Sequence, residues 1–241
     1  MPRTDDQTRR YSSPRRLEMA ALTRRSILAA ARELFVEKGY VATTVDQIAD
    51  RAGVSKPTVF ASVGSKRVIL TEVRNLALAG DDEPVPLAQR PWFQETLHEP
   101  DAVRLLVLHA RNVVGVHRRV ADVNEVLRSS AGADEDLRQL WQTSEGERRA
   151  TMTHIVDALL TKATLKAGLD RESAIDILWA FTNPDLFLRF VRARRWSVEH
   201  YERWLAQTFI EQLMPLGEVE RYAEGRPLGA PPTGFEPVPP P

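Results

Sequence analysis

A chain of 241 residues that is 43% hydrophobic and 27% charged can bury a sizeable core, which excludes a globally disordered protein. The lack of cysteine excludes a disulfide framework, a thiolate zinc site and a cysteine nucleophile. The formal net charge is zero, but the first 80 residues carry 14 basic and 8 acidic residues, so a basic first third precedes an acidic remainder. We find neither an apolar leader nor a stretch of about 18 apolar residues, and therefore expect a cytoplasmic protein without a membrane partner.

The sequence pattern changes near residue 17, from polar and aperiodic to apolar at helical spacing. Residues 1–16 are polar and aperiodic, which predicts a flexible basic arm that is either a solvated tail or a nucleic-acid contact. After this arm, apolar residues such as Ile27, Ala31 and Leu34 recur at helical spacing. Gly39 follows where a left-handed C-cap is expected, so the pattern predicts a first long helix.

The segment after this helix carries the strongest local signals in the chain. Thr44 and Gln47 have the spacing of a capping box, and Gly53 interrupts the helix that they start. Ser55 is placed to cap a third helix, whose first turn tolerates Pro57 because the first helical amides lack partners. Two short helices joined by a tight turn are therefore predicted.

This pattern over residues 44–63 is typical of a helix-turn-helix, whose second helix enters the major groove of DNA by its N-terminal end. Ile48 and Val59 are predicted to fill the space between the two helices. The outward side presents small and polar groups that can approach base edges. Its predicted members are Lys56, Pro57, Thr58, Ala61 and Ser62.

Residues 17 to about 80 also resemble the DNA-binding domain of the tetracycline-repressor (TetR) family. The resemblance is carried by the runs Ala30–Tyr40, Thr43–Ala49, Ala52–Phe60 and Gly64–Lys66. It implies phosphate contacts by Thr44 and Lys66, at helix N-termini where free amides favour an anion. Phe60 stands where the family usually has Tyr, which removes one expected phosphate contact, and it is either a DNA contact or a core residue. The predicted DNA-binding residues are Thr44, Ser55, Lys56, Pro57, Thr58, Phe60, Ala61, Ser62 and Lys66.

The rest of the chain contains only helical patterns. An acidic, proline-broken segment predicts that residues 17–82 form the DNA-binding domain and residues 83–224 a regulatory and dimerisation domain. The predicted fold is all-α, with an N-terminal three-helix helix-turn-helix domain, a C-terminal helical bundle and about nine to ten helices in all. Asn183-Pro184 is predicted to kink or divide one late helix, and residues 225–241 form a proline-rich tail that we predict to be disordered.

Two late helices are apolar on nearly all sides. The family resemblance implies that they pair with those of a second subunit as a four-helix bundle, while burial in an intrachain core is the alternative. The predicted dimer-interface residues are Ile175, Leu178, Phe187, Phe190, Trp204, Leu205 and Phe209.

The resemblance further implies a small-molecule effector held among the middle helices. His117, Trp141, His154 and Trp179 are candidate ligand-binding residues because they place large or polar groups on otherwise apolar stripes. Each of them is alternatively a plain core residue.

Together these features predict a sequence-specific transcriptional regulator that binds double-stranded DNA, as a homodimeric, ligand-responsive repressor on a palindromic operator. No phosphate-cradling glycine run, Gly-x-Ser-x-Gly or His-Glu-x-x-His motif is present, so we expect no enzyme, cofactor or metal. The alternative is a non-catalytic helical adaptor protein whose DNA binding is lost or weak.

Overall fold

The computed structural model describes residues 14–81, 83, 85–132 and 134–225, and these ranges contain eleven α-helices and no strand. The all-α prediction is therefore confirmed, and the eleven helices are slightly more than the nine to ten expected. Residues 1–13 of the predicted arm and 226–241 of the predicted tail lie outside the described residues. The first four helices are α1 (Pro14–Ala42), α2 (Val45–Ala52), α3 (Lys56–Ser62) and α4 (Lys66–Ala79).

Helix α1 is longer than predicted at its beginning. It starts at Pro14, so residues 14–16 are helical and do not belong to a flexible arm as expected. Proline is favoured in a first helical turn, and the Arg, Leu, Glu, Met and Ala residues that follow are strong helix formers. Gly39 interrupts the helix with a φ of 79°, which agrees with the predicted left-handed position.

The chain divides into two compact units, residues 1–75 and 76–241. The division falls inside α4, before the boundary near residue 82 that the acidic segment suggested. In the N-terminal unit, α1, α2 and α3 pack around a core of side chains with almost no exposed surface. The largest of these are Ile27, Leu34, Phe35, Ile48, Val59, Ile69 and Leu70.

The C-terminal unit is built around one long helix. Its helices are α5 (Pro91–His98), α6 (Ala102–Ser130), α7 (Glu135–Leu160), α8 (Arg171–Phe181), α9 (Pro184–Phe187), α10 (Val198–Leu213) and α11 (Leu216–Ala223). Helix α6 packs against α5, α7, α9 and α10, and α8 packs on α7. A 3₁₀ turn precedes α5 and a π-helical turn, Leu188–Ala193, follows α9.

Side-chain caps begin two helices of the C-terminal unit, α9 and α10. Asn183 caps α9 and accepts a hydrogen bond from the Asp185 amide, while Pro184 begins that helix, so the predicted division is confirmed. Ser197 caps α10 through the His200 amide. Within the described ranges, no helix is long and apolar enough to cross a lipid bilayer.

Candidate functional site

Three local features that the sequence predicts, two N-caps and a left-handed glycine, stabilise the helix-turn-helix. The Thr44 hydroxyl accepts the Gln47 amide at 3.2 Å, and the Gln47 side chain accepts the Thr44 amide at 3.1 Å, which completes the capping box. Gly53 ends α2 with a φ of 68°. Ser55 caps α3 by accepting the Thr58 amide at 3.3 Å. These contacts fix where α3 begins and which side of it faces outward.

The outward side of α3 is a continuous strip. Lys56, Pro57, Phe60 and Ala61 are all exposed, and their spacing of one, four and five residues places them on one helix face. Val59, on the opposite side, has no exposed surface. We call Lys56, Pro57, Phe60 and Ala61 the outer strip of α3.

The remaining residues of the predicted DNA-binding set lie beside this strip. Thr44 and Ser55 are exposed, whereas Thr58 and Ser62 are half-buried. The Thr58 hydroxyl lies 2.7 Å from that of Ser55, so these two groups share a hydrogen bond at the start of α3. The hydroxyl proton of Thr44 is not used in its capping contact, which leaves it available to donate to a phosphate oxygen.

Lys56 forms an ion pair that sequence analysis did not predict. Its ammonium lies 2.9 Å from the Asp46 carboxylate on α2, and both side chains are about half exposed. An exposed pair of this kind stabilises the fold little, and a DNA group can compete for the ammonium. The pair therefore holds Lys56 at the outer strip of α3 without burying its charge.

The family resemblance implies that the Lys66 ammonium contacts a DNA phosphate. In the structure this ammonium already has protein partners. Its ammonium donates to the carbonyl oxygens of Tyr40 at 3.0 Å and Thr43 at 2.9 Å, and it lies 4.2 Å from the centre of the Tyr40 ring. These contacts join the start of α4 to the junction of α1 and α2, next to Thr44. Lys66 is thus also a positioning residue of the helix-turn-helix.

Arg24 is a second positioning residue that sequence analysis missed. Its guanidinium donates to the Ser62 carbonyl at 3.0 Å and to the Glu72 carboxylate at 2.7 Å. It therefore joins α1 to the end of α3 and to α4. Ser62 and Glu72 lie 38 and 48 positions after Arg24, so no local spacing in the sequence signals these contacts.

The four predicted ligand-binding residues separate into two groups in the C-terminal unit. His117 is 3% exposed and Trp179 is half-buried, and they are connected through Thr182, which contacts His117, and Arg148, which contacts both Thr182 and Trp179. The Arg148 guanidinium lies 4.8 Å from the Trp179 ring centre and donates to the Trp179 carbonyl and the Thr182 hydroxyl. His154 is exposed on α7, and Trp141 is half-buried there. Only His117 and Trp179 therefore belong to a common polar cluster.

His117 has one satisfied and one unsatisfied ring nitrogen. Its Nε2 lies 3.1 Å from the Thr182 carbonyl oxygen, and because a carbonyl only accepts, Nε2 carries the proton. Nδ1 is then a buried acceptor, and no described residue hydrogen-bonds to it. Burial lowers the pKa of His117 to about 4, although the Thr182 bond raises it, and the positive Arg148 lowers it further. The imidazole is neutral at pH 7.

Two more buried polar groups near α6 were not predicted. His109 stacks on Phe209 with ring centres 5.4 Å apart, and its Nε2 has no hydrogen-bond partner among the described residues. Burial lowers the pKa of His109 to about 3, and His117 lowers it further. Tyr201 is fully buried, and no described residue bonds its hydroxyl. Burial raises the pKa of this phenol.

A surface recess of about 310 Å³ lies elsewhere in the C-terminal unit. Side chains of α5, α6 and α10 line it, among them Trp92, Arg111, Arg118, Glu199 and Glu202. None of the four predicted ligand-binding residues lines this recess. It is therefore separate from the His117 cluster.

The predicted dimer-interface residues also separate into two groups. Five of them lie in the core of the C-terminal unit and are at most 3% exposed. They have almost no surface left for a second subunit, which agrees with the alternative of burial in an intrachain core. These are Ile175, Leu178, Phe187, Leu205 and Phe209. Phe190 and Trp204 are half-buried, with ring centres 4.8 Å apart. They form an aromatic patch with Trp196 and Phe181, which are also half-buried.

Comparisons with known proteins agree with this architecture. Residues 27–73 match the model of the family described as bacterial regulatory proteins, tetR family. The HTH-type transcriptional regulator YdeS of Bacillus subtilis is 31% identical over 159 residues, which cover 65% of this chain and 74% of YdeS. The chain belongs to the tetR family. It is a DNA-binding transcriptional regulator, and because its relatives are regulators, the prediction that it is not an enzyme is confirmed.

Two further proteins illustrate how far the likeness extends. The class D tetracycline repressor of Escherichia coli is 31% identical over 100 residues, which are 41% of this chain and 46% of the repressor. The solved SmeT–triclosan complex has a similar fold, with a TM-score of 0.62 at 19% identity, over 90% of this chain and 99% of SmeT. The structural likeness therefore extends well beyond the helix-turn-helix.

Proposed function

We propose that this tetR-family protein is a homodimeric, ligand-responsive repressor that acts in the cytoplasm and binds a palindromic operator. The outer strip of α3 is the observation that carries the DNA-reading part of the proposal. Capped α3 presents Lys56 at its N-terminal end, the end that enters a major groove in helix-turn-helix proteins. Two such helices in one dimer would reach successive major grooves, about 34 to 36 Å apart.

Selection of random duplex DNA on the purified protein at near-physiological salt tests this proposal. We expect one palindromic sequence to be enriched. Lys56→Ala should change the preferred base at one position of each half-site, because the ammonium is placed to donate to a base edge. Lys38→Ala, which removes an exposed α1 lysine, is the matched control and should keep the same sequence. Failure of the natural protein to enrich any sequence would favour the adaptor alternative.

The aromatic patch supports the dimer. Its four half-buried aromatic side chains, Phe181, Phe190, Trp196 and Trp204, keep apolar surface exposed in the single chain. Aromatic side chains are enriched at the centres of protein interfaces because they bury a large area with few rotatable bonds. The patch replaces the five core residues as the proposed contact with the second subunit.

The His117 cluster supports a small-molecule effector. Because His117 Nδ1 can only accept and the Phe187 ring lies 6.0 Å from the His117 ring, the expected ligand is apolar and carries a hydroxyl donor, as a phenol does. The fold relative SmeT is described in complex with triclosan, itself a phenol. Effector binding beside His117 would then alter operator affinity.

Thermal unfolding with triclosan as the probe, followed by operator binding with and without it, tests the effector. We expect a higher unfolding temperature and weaker operator binding with the probe. Both effects should disappear in His117→Phe and persist in His154→Gln, which changes an exposed histidine. A probe that binds His117→Phe as tightly as the natural protein would contradict this site.

The repressor assignment is supported by the tetracycline repressor among the relatives. A reporter gene placed behind the selected operator tests the direction of control. We expect lower expression when the protein is present, because a dimer bound over a promoter blocks access to it. Higher expression would identify an activator.

A further inference from the structure

Phe60 is an unusual residue to find on the outer strip of α3. It is 48% exposed, which makes it one of the few large apolar side chains at the surface of the described chain. No aromatic ring among the described residues packs against it, and its neighbours on the strip are Pro57 and Ala61. The core alternative raised from the sequence therefore does not describe Phe60, and half of its ring is free to contact something else.

The outer strip is apolar except at one end. Lys56 is its one charged member, and Pro57, Phe60 and Ala61 offer no side-chain hydrogen-bond donor or acceptor. Such groups cannot read the donor and acceptor atoms of base edges. In the major groove, the apolar group that base edges offer is the 5-methyl group of thymine, which Phe and Ala contact in known complexes.

We propose that Phe60 is a specificity-determining residue that packs against the 5-methyl group of a thymine in each operator half-site. The inference rests on the proposed sequence-specific binding, and it identifies a thymine methyl group as one feature that α3 recognises. Lys56, one helical turn before Phe60 on the same face, lies toward the N-terminal end of α3.

Replacing thymine by deoxyuridine removes the 5-methyl group and leaves base pairing unchanged. We would substitute each thymine of the selected duplex in turn and measure binding by fluorescence anisotropy. At one thymine per half-site we expect affinity to fall about fourfold, the effect of losing one buried methyl group. Elsewhere in the half-site the substitution should have little effect.

Three variants assign the methyl contact to Phe60. In Phe60→Ala, the thymine and deoxyuridine duplexes should bind equally, and Phe60→Tyr, which keeps the ring, should preserve the difference. Leu160→Ala removes another exposed apolar side chain, in the C-terminal unit, and should also preserve it. Circular dichroism should show unchanged folding for Phe60→Ala because the side chain is half exposed.

The outcomes separate this inference from the proposed function. An enriched duplex with no deoxyuridine-sensitive thymine overturns the role of Phe60 and leaves sequence-specific binding intact. A sensitive thymine that stays sensitive in Phe60→Ala also overturns it, because another group then contacts the methyl. If no duplex is enriched at all, the proposed sequence-specific binding fails together with the inference.

Discussion

The two buried histidines of α6 differ in what their ring nitrogens contact. His117 donates to the buried Thr182 carbonyl, so its ring satisfies a backbone group as well as filling space. His109 stacks on Phe209, and its buried Nε2 lacks a hydrogen-bond partner within the described structure. Each ring therefore carries one desolvated nitrogen, Nδ1 in His117 and Nε2 in His109, but His117 also satisfies a buried backbone carbonyl.

Replacing each of these histidines by phenylalanine should have opposite effects on stability. His117→Phe leaves the Thr182 carbonyl without a donor and should lower the free energy of unfolding by about 1 to 3 kcal/mol. His109→Phe keeps a stacked ring and removes an unpartnered atom, so stability should be unchanged or higher. Urea unfolding measures both, and equal losses would contradict the assignment.

Stability should fall as the pH decreases below about 6.5. Each imidazole takes up a proton near pH 6.5 in the unfolded chain but only at about pH 3 or 4 in the folded chain. The unfolded state therefore binds more protons in this window, at about 1.4 kcal/mol per pH unit for each histidine. Urea unfolding between pH 7.5 and 4.5 should show a smaller pH dependence in His109→Phe and the full dependence in the exposed-site control His154→Gln.

Lys66 should contribute to folding as well as to DNA binding. Lys66→Ala leaves the carbonyls of Tyr40 and Thr43 without their ammonium donor, so we expect a loss of about 1 to 3 kcal/mol in unfolding free energy. Lys38→Ala removes an exposed lysine from the same unit and should be close to neutral. If Lys66→Ala weakens DNA binding but leaves stability at the control value, Lys66 acts only as a phosphate ligand.

At the scale of elements, the sequence predicts what is determined within a few residues. The capping residues of α2 and α3 were predicted correctly because a cap needs only a side chain and an amide three residues away. They are Thr44 with Gln47, and Ser55, and Gly53 was likewise predicted to end α2. The Lys56–Asp46 pair and the Arg24–Ser62 contact depend on how α1, α2 and α3 cross. No spacing in the chain encodes such a crossing, so neither contact could be predicted.

Removing the cap of α3 should affect stability and DNA affinity together. Ser55→Ala removes the acceptor for the Thr58 amide and should cost about 1 kcal/mol, and α3 should fray at the end that we propose to contact DNA. Ser197→Ala removes the equivalent cap of α10 and is the matched control. We expect similar losses of stability in urea, with a clear loss of operator affinity for Ser55→Ala alone. Equal affinity losses would show that only global stability matters.

At the scale of the whole molecule, sequence patterns do not separate an intrachain core from a subunit interface. Ile175, Leu178 and Phe209 fit either environment, because both remove apolar surface from water. The structure distinguishes them by the surface that they retain, which is almost none for these three residues and larger for the half-buried Phe190 and Trp204. The all-α fold was easier to predict, since helical periodicity runs along most of the chain.

Placing a charge in the aromatic patch should separate the proposed subunits. Phe190→Glu adds a carboxylate to half-buried apolar surface, and burying it against a second chain would cost several kcal/mol. Sedimentation should show a species near the chain mass of 27.2 kDa for this variant and twice that mass for the natural protein. Leu160→Glu, outside the patch, should remain a dimer. A natural protein that sediments as a monomer would contradict the dimer.

Hydroxyl-radical footprinting on the selected duplex tests most directly whether two copies of α3 occupy successive major grooves. The proposed dimer predicts two protected segments, related by the symmetry of the palindrome and centred about 10 base pairs apart on one face of the DNA. Phe190→Glu should weaken both together. A single protected segment, or protection that does not depend on the palindrome, would contradict dimeric operator recognition.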